Sequence, residues 1–160
     1  MDVDGVLTDS GVYYSDERLE LKKFSIRDGM GMSLMRKAGY KIAIITSENT
    51  KIVALRSERL QVVDVYQGVI SKVEAVEDLL NKYSLTWNEI AYIGDDINDI
   101  PVLQRVGFAA APADATALNK KSAHYITKNN GGHGAVREVC DLFLDLHWKG
   151  NAITELWLNK

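Results

Sequence analysis

Apolar residues occur along this chain in two patterns. Short, mostly apolar runs lie at residues 41–46, Val62 to Tyr66, Ile90 to Ile93 and Phe108 to Pro112, with a last one at His124-Tyr125-Ile126. Runs of that length, bounded by polar or glycine residues, predict buried strands. Between them apolar residues recur at helical spacing. Met32, Leu34, Met35 and Ala38 place a helix from Asp28-Gly29 to Ala38, ended by Gly39. Asn49 or Thr50 can cap a helix to about Leu60, with Ile52, Val53 and Leu55 inward. Ser71 caps another that carries Val73, Val76, Leu79 and Leu80. Shorter helices are predicted from Asn98 to Val106, with Pro101 in the first turn, and from Ala115 to Lys121. One more runs from Ala135 to about Leu144. Strands alternating with amphipathic helices predict an α/β fold with a doubly wound parallel sheet.

Two segments stand outside that alternation. Gly11-Val12-Tyr13-Tyr14 and Leu19 to Phe24 flank the polar turn Ser15-Asp16-Glu17-Arg18 and predict a β-hairpin over about 11–25. It carries too many apolar residues to stand alone in water as two strands. The tail, about 146–160, holds Trp148, Trp157 and Leu158 without a clear pattern. There are no repeats and no internal linker, so residues 1–160 read as a single domain.

Composition narrows the function. A net charge of −3 without a basic run excludes a nucleic-acid partner. Hydrophobic and charged contents of 46% and 26% are those of an ordinary globule. The single cysteine, Cys140, permits no internal disulfide and reads as a small core residue. No signal peptide or membrane span is visible, and a cytoplasmic location is expected.

The chemistry gathers at strand ends. Asp2-Val3-Asp4-Gly5 places two carboxylates two residues apart. A calcium loop counted from Asp2 would need ligands at Val6 and Tyr13, which removes that reading. Tyr92-Ile93-Gly94-Asp95-Asp96-Ile97-Asn98-Asp99 is a second acidic strand end. Thr46-Ser47 ends a strand in hydroxyls, and Lys72 follows Val69-Ile70-Ser71. In a doubly wound sheet ligands bind beyond the carboxyl ends of the strands. Clustered carboxylates repel, so a cation is implied, and a ligand set of oxygens alone suits magnesium. Gly131-Gly132-His133-Gly134 is a glycine turn at a helix start, able to offer amides to an anion. Arg59 and Arg137 could reach an anionic group of a ligand, within the subunit or across a subunit boundary. His124 and His147 lack partners at metal-ligand spacing and read as structural or exposed.

Acid pair, hydroxyl, lysine and acid cluster, in that order, resemble the haloacid dehalogenase (HAD) phosphatase superfamily. From residue 2 to about 145 the chain is most similar to its capless branch, which contains 3-deoxy-D-manno-octulosonate (KDO) 8-phosphate phosphatase. The resemblance implies a Rossmann-like HAD fold with a hairpin flap and no cap domain. It implies Asp2 as nucleophile and Asp4 as general acid and base, with Thr46 and Lys72 holding the phosphoryl group. Magnesium would be held by Asp2, Asp95 and the Asp4 carbonyl, with Asp96 and Asp99 behind them. Ser47, Glu48, Arg59 and His133 would join Thr46 and Lys72 in binding substrate. A homotetramer is expected, its hairpins meeting centrally and shielding each site.

Three departures qualify the resemblance. Octulosonate enzymes commonly continue Gly-Arg after the threonine, whereas Ser47-Glu48 follows here, as in relatives acting on nonulosonate 9-phosphates. His133 stands where the family usually has Arg. An apolar strand normally precedes the first aspartate, and Met1 alone does here, so upstream residues are expected. A non-catalytic assembly module, related to domains fused to sialic acid cytidylyltransferases, is the alternative class.

Overall fold

The computed structural model describes residues 1–17, 19–147 and 152–158; Arg18 and Trp148, named above, lie outside them. In chain order come β1 (Tyr13–Tyr14), β2 (Glu20–Leu21), α1 (Ile26–Lys37), β3 (Ala43–Ile45), α2 (Lys51–Arg59), β4 (Asp64–Tyr66) and α3 (Lys72–Tyr83). There follow β5 (Ala91–Ile93), α4 (Ile100–Leu103), β6 (Phe108–Ala111), α5 (Ala117–Ser122), β7 (Tyr125–Ile126), α6 (Ala135–His147) and α7 (Ala152–Leu158).

β3 pairs with β4, and β6 pairs with both β5 and β7, all in parallel. Met1 and Asp2 join the two sets. The Ile45 amide donates to the Met1 carbonyl at 2.9 Å, and the Asp2 amide donates to the Ile93 carbonyl at 3.0 Å. Asp2 therefore leaves the middle of the sheet, between β3 and β5.

Strand side chains alternate between the faces. Ile44, Ile93 and Ala110 enter a core built with Met32 and Met35 of α1 and Val139 and Leu144 of α6. Ile45, Tyr92 and Ala109 enter a second core with Val76 and Leu80 of α3 and Leu103 of α4. The sheet is doubly wound, as the alternation of elements predicts. Helix starts are fixed locally: Ser25, Thr50 and Ser71 accept the amides of Asp28, Val53 and Glu74. No helix among the described residues is long and apolar enough to cross a membrane.

The structure corrects several expectations. Leu55 is 65% exposed while Val53 is buried, because two residues along a helix turn a side chain about 200°. The predicted helix from Asn98 is a single tight turn over Ile97–Asp99 followed by α4, with Pro101 near the junction. The tail forms α7, whose Ile153 and Leu156 pack on the core beside α1. Their three-residue spacing was the signal, too brief to register as a period. The hairpin strands are two residues each, and Phe24 is half-buried against the core rather than on the outer face.

Beyond Met1, β3 and β5 diverge around a cavity of about 530 Å³ lined by Met1, Ile42, Ala43, Ile90, Ala91 and Phe108 among others. Ile90 and Gly94 bond toward β6, so Ala91 and the Ile93 amide turn toward this gap, the Ile93 carbonyl being taken by Asp2. An engineered extension of about five apolar, strand-forming residues ahead of Met1 should fill it. Burial and pairing should then raise stability by on the order of several kcal/mol. Matched thermal melts test this, and equal Tm values would show that the gap does not accept a strand.

Candidate active site

The predicted acidic residues converge where β3, β5 and the opening residues end. Asp2 is buried, its Oδ1 accepting the Val3 amide at 2.7 Å and its Oδ2 lying 2.9 Å from Lys72 Nζ. Lys72 opens α3 behind the Ser71 cap, which aims its ammonium back across the sheet. The same ammonium donates to Asp99 Oδ1 at 2.7 Å. Asp99 is fully buried, and the Tyr92 hydroxyl also donates to its Oδ1 at 2.7 Å. Its Oδ2 accepts the Asp95 and Asp96 amides at 3.0 and 3.4 Å. Asp99 thus braces the acidic turn with both oxygens occupied, whereas Asp95 faces the opening. Asp96 caps the turn through the Ile97 amide and points away from the cluster.

Carboxylate oxygens of Asp2, Asp95 and Asp99 lie within 4.8 Å of one another. Burial, then the charge of Asp99, pushes Asp2 up to about 6 despite Lys72. Burial, then Asp2, pushes Asp95 up to about 7. Two carboxylates held this far above their ordinary range, with oxygen donors only, form a site for a hard divalent cation. Since Asp99 is saturated by four donors, Asp2 and Asp95 have the oxygens to offer it.

Thr46 is buried at the end of β3. Its hydroxyl oxygen accepts the Glu48 amide at 3.2 Å, leaving its proton to donate. Ser47 and Glu48 are exposed on the adjoining loop, Ser47 accepting from Asn98 at 3.4 Å. Arg59 is not brought to the site: it lies exposed at the far end of α2, a nine-residue helix that starts near Thr46. Arg137 is held by Asp141 on its own helix.

The glycine turn does reach the site. The Gly132 amide donates to the Val6 carbonyl at 3.0 Å. A Cβ on Gly131 would fall 1.9 Å from the Gly5 carbonyl oxygen, so a side chain there would expel the Asp2–Asp4 loop. Gly5 itself has φ +79°, and a Cβ on it would meet Asp95. His133 Nδ1 lies 2.8 Å from the Gly131 carbonyl, which assigns the proton to Nδ1. Nε2 then accepts from Lys23 at 2.9 Å, so the cation at the mouth is Lys23. His124 is structural, its ring accepting the Ala109 amide, and buried Cys140 is core, its thiol pushed up to about 12 by burial.

Sequence reasoning missed Lys22, Tyr92 and Thr8. Lys22 Nζ lies 2.7 Å from Asp4 Oδ1, and Thr8 Oγ1 donates to the same oxygen at 3.4 Å. The signal for Tyr92 was alternation, since the strand turns it to the face opposite Ile93. Nothing comparable marked Lys22, one of two adjacent lysines.

Comparison with known proteins agrees with this geometry. The profile of the haloacid dehalogenase-like hydrolases matches residues 35–139. The chain is 44% identical over 144 residues to the KDO 8-phosphate phosphatase of Salmonella typhi, covering 90% of this chain and 77% of that one. The chain belongs to this phosphatase family of haloacid dehalogenase-like hydrolases. The crystal structure of the Yersinia pestis KDO 8-phosphate phosphatase superimposes with a TM-score of 0.89 at 40% identity, covering 98% of this chain and 81% of that one. The Moraxella catarrhalis enzyme, in complex with magnesium ion, phosphate ion and KDO, gives 0.92 at 33% identity, covering 100% and 91%. The HAD fold expected from the motifs is thus the observed one, without a cap domain. The protein is a phosphoric monoester hydrolase, which sets aside the non-catalytic module.

The raised carboxylates give a pH test. Asp2 and Asp95 hold protons in the folded state up to about 6 and about 7, well above the unfolded 3.8. The folded state therefore binds more protons between these limits, and stability falls as pH rises through that window. A divalent cation replaces those protons. Its effect on Tm should be larger at pH 8 than at pH 5, measured by melts with cation and with chelator. An increment equal at both pH values would rule out these carboxylates as the site.

Proposed function

We propose that this enzyme hydrolyses KDO 8-phosphate, a 2-keto-3-deoxy sugar acid phosphate, with Mg²⁺ as cofactor and an aspartyl-phosphate on Asp2. The observation that carries the reading is the Asp2–Lys72–Asp99 chain beside Asp95 at the strand ends. It stands in a chain 44% identical to a protein of that activity. Asp2, Asp95 and the Asp4 carbonyl would hold Mg²⁺, which supplies charge neutralisation to the phosphoryl oxygens.

An Asp2 carboxylate oxygen attacks phosphorus, and the bond to the sugar oxygen breaks. Lys72 has three ammonium protons and spends two on Asp2 and Asp99, so the third can meet a phosphoryl oxygen. The Thr46 hydroxyl proton meets another. Asp4 gives a proton to the departing sugar oxygen, then takes one from the water that cleaves the acyl phosphate. Glu48 favours a second substrate, a nonulosonate 9-phosphate, because a carboxylate replaces a cation where the sugar acid would lie.

The hairpin supports a homotetramer. Tyr13, Tyr14, Leu19 and Leu21 are more than half exposed, an apolar surface suited to burial between copies. Each site would be shielded by a neighbour, in place of a cap.

Asp2→Asn should abolish turnover in protein of unchanged circular dichroism, since an amide cannot form the acyl phosphate; retained activity would end the mechanism. Asp4→Asn should lower kcat about 10²–10⁴-fold on the sugar phosphate and much less on nitrophenyl phosphate, whose leaving group needs no proton. A substrate panel compared by kcat/KM separates octulosonate from nonulosonate. Charges at Tyr14 and Leu21 should give monomers in sedimentation, with sugar-phosphate turnover falling far more than aryl-phosphate turnover. A native monomer of full activity would overturn the assembly.

A further inference from the structure

We propose that Lys22 is a positioning residue for Asp4, which makes the hairpin part of the catalytic apparatus. The inference rests on the acid–base role given to Asp4 above. The hairpin is mostly exposed, with Tyr14 at 74% and Leu21 at 62%, yet the Lys22 side chain is only 2% exposed. An ammonium is costly to bury without a partner. Its partners here are Asp4 Oδ1 at 2.7 Å and, more distantly, Glu20 Oε1 at 3.7 Å.

Flanking contacts fix where Lys22 points. Phe24 forms a β-bridge with Thr8, and Lys23 binds Asp9 Oδ2 at 2.8 Å. The second hairpin strand is therefore pinned to the loop that carries Asp4. Lys22 and Thr8 both engage Oδ1 of Asp4, which leaves Oδ2 for the reacting oxygen. A carboxylate turning freely about its last torsion would present either oxygen, in a broad range of directions. Two donors on one oxygen select the orientation. Lys22 thus acts through Asp4, and its loss should appear in kcat and in leaving-group dependence rather than in KM.

The experiment compares Lys22→Met, Lys22→Arg, Asp4→Asn and the double variant Lys22→Met/Asp4→Asn on KDO 8-phosphate and 4-nitrophenyl phosphate. Circular dichroism and sedimentation establish that each variant keeps the native fold and assembly. Lys22→Met should lower kcat on the sugar phosphate about 10- to 100-fold, less than loss of the acid–base group itself, with KM and aryl-phosphate turnover changed less than about threefold. Lys22→Arg, which keeps a cation, should recover much of the loss. The double variant should match Asp4→Asn within about threefold, because one function is removed twice. Equal losses on both substrates, a loss confined to KM, or a double variant showing the product of the single losses would overturn the proposal. If Lys22→Met does not hold the native fold, Lys22→Gln and Lys22→Gln/Asp4→Asn take its place, read by the same rule. A collapse of Asp4→Asn with Lys22→Met unimpaired removes the Lys22 role alone. Full activity in Asp4→Asn removes the acid–base reading and this inference with it.

Discussion

Lys72 carries its ammonium into a pocket where Asp2, Asp95 and Asp99 meet, and the arrangement of the site depends on it. Three carboxylates within 4.8 Å repel strongly where water is scarce. Lys72 binds two of them, and the mutual attraction leaves its own pKa raised despite burial, which opposes that shift most. The remaining excess of negative charge is what draws a second cation and, through it, a phosphate. One lysine is enough to hold the carboxylates together and too little to neutralise them.

Around that pair the scaffold acts by proximity. The glycine turn at 131–134 presses on the Asp2–Asp4 loop so closely that only hydrogen fits. The start of its helix, α6, is tied to the start of α1 by Asp28, which accepts the amides of Gly134 and Arg137. Burial raises the Asp28 carboxyl, and these bonds oppose that. The hairpin meets the loop from another side through Lys22 and Lys23. The Asp2 and Asp4 carboxylates, on one short loop, are therefore held from two directions by parts of the chain more than a hundred residues apart.

Much of this was legible in the sequence, for physical reasons that differ by element. Parallel strands inside a sheet are nearly continuous apolar runs, so β3, β5 and β6 stood out, and β4 did so despite Asp64. Ser71 and Thr50 declared their helices because a side chain must satisfy the first amides. Asp2, Thr46, Lys72 and Asp95 were found because strand ends converge. What escaped were properties of the assembled structure. Leu55 and Val53 are equally apolar, and only the phase of α2 separates them. Arg59 carries a suitable charge, and its own chain holds it at the end of α2 away from Thr46. Lys22 and Lys23 are chemically the same, and the hairpin's fold sends one to Asp4 and the other to the mouth. The pattern around His133 did not show that its ring would bridge the Gly131 carbonyl and Lys23.

The bonds of Lys72 join residues far apart along the chain. Asp99 is 27 positions away, and Asp2 is 72 − 2 = 70 away. No hairpin, helix or strand pair formed early in folding contains more than one of the three. Long-range closure of that kind comes late, after local structure has been laid down. The phosphatase site is then a signature of the finished molecule. A chain missing the sheet contacts of Met1 and Asp2, the start of α3 or the turn that carries Asp99 has no active fragment to expose.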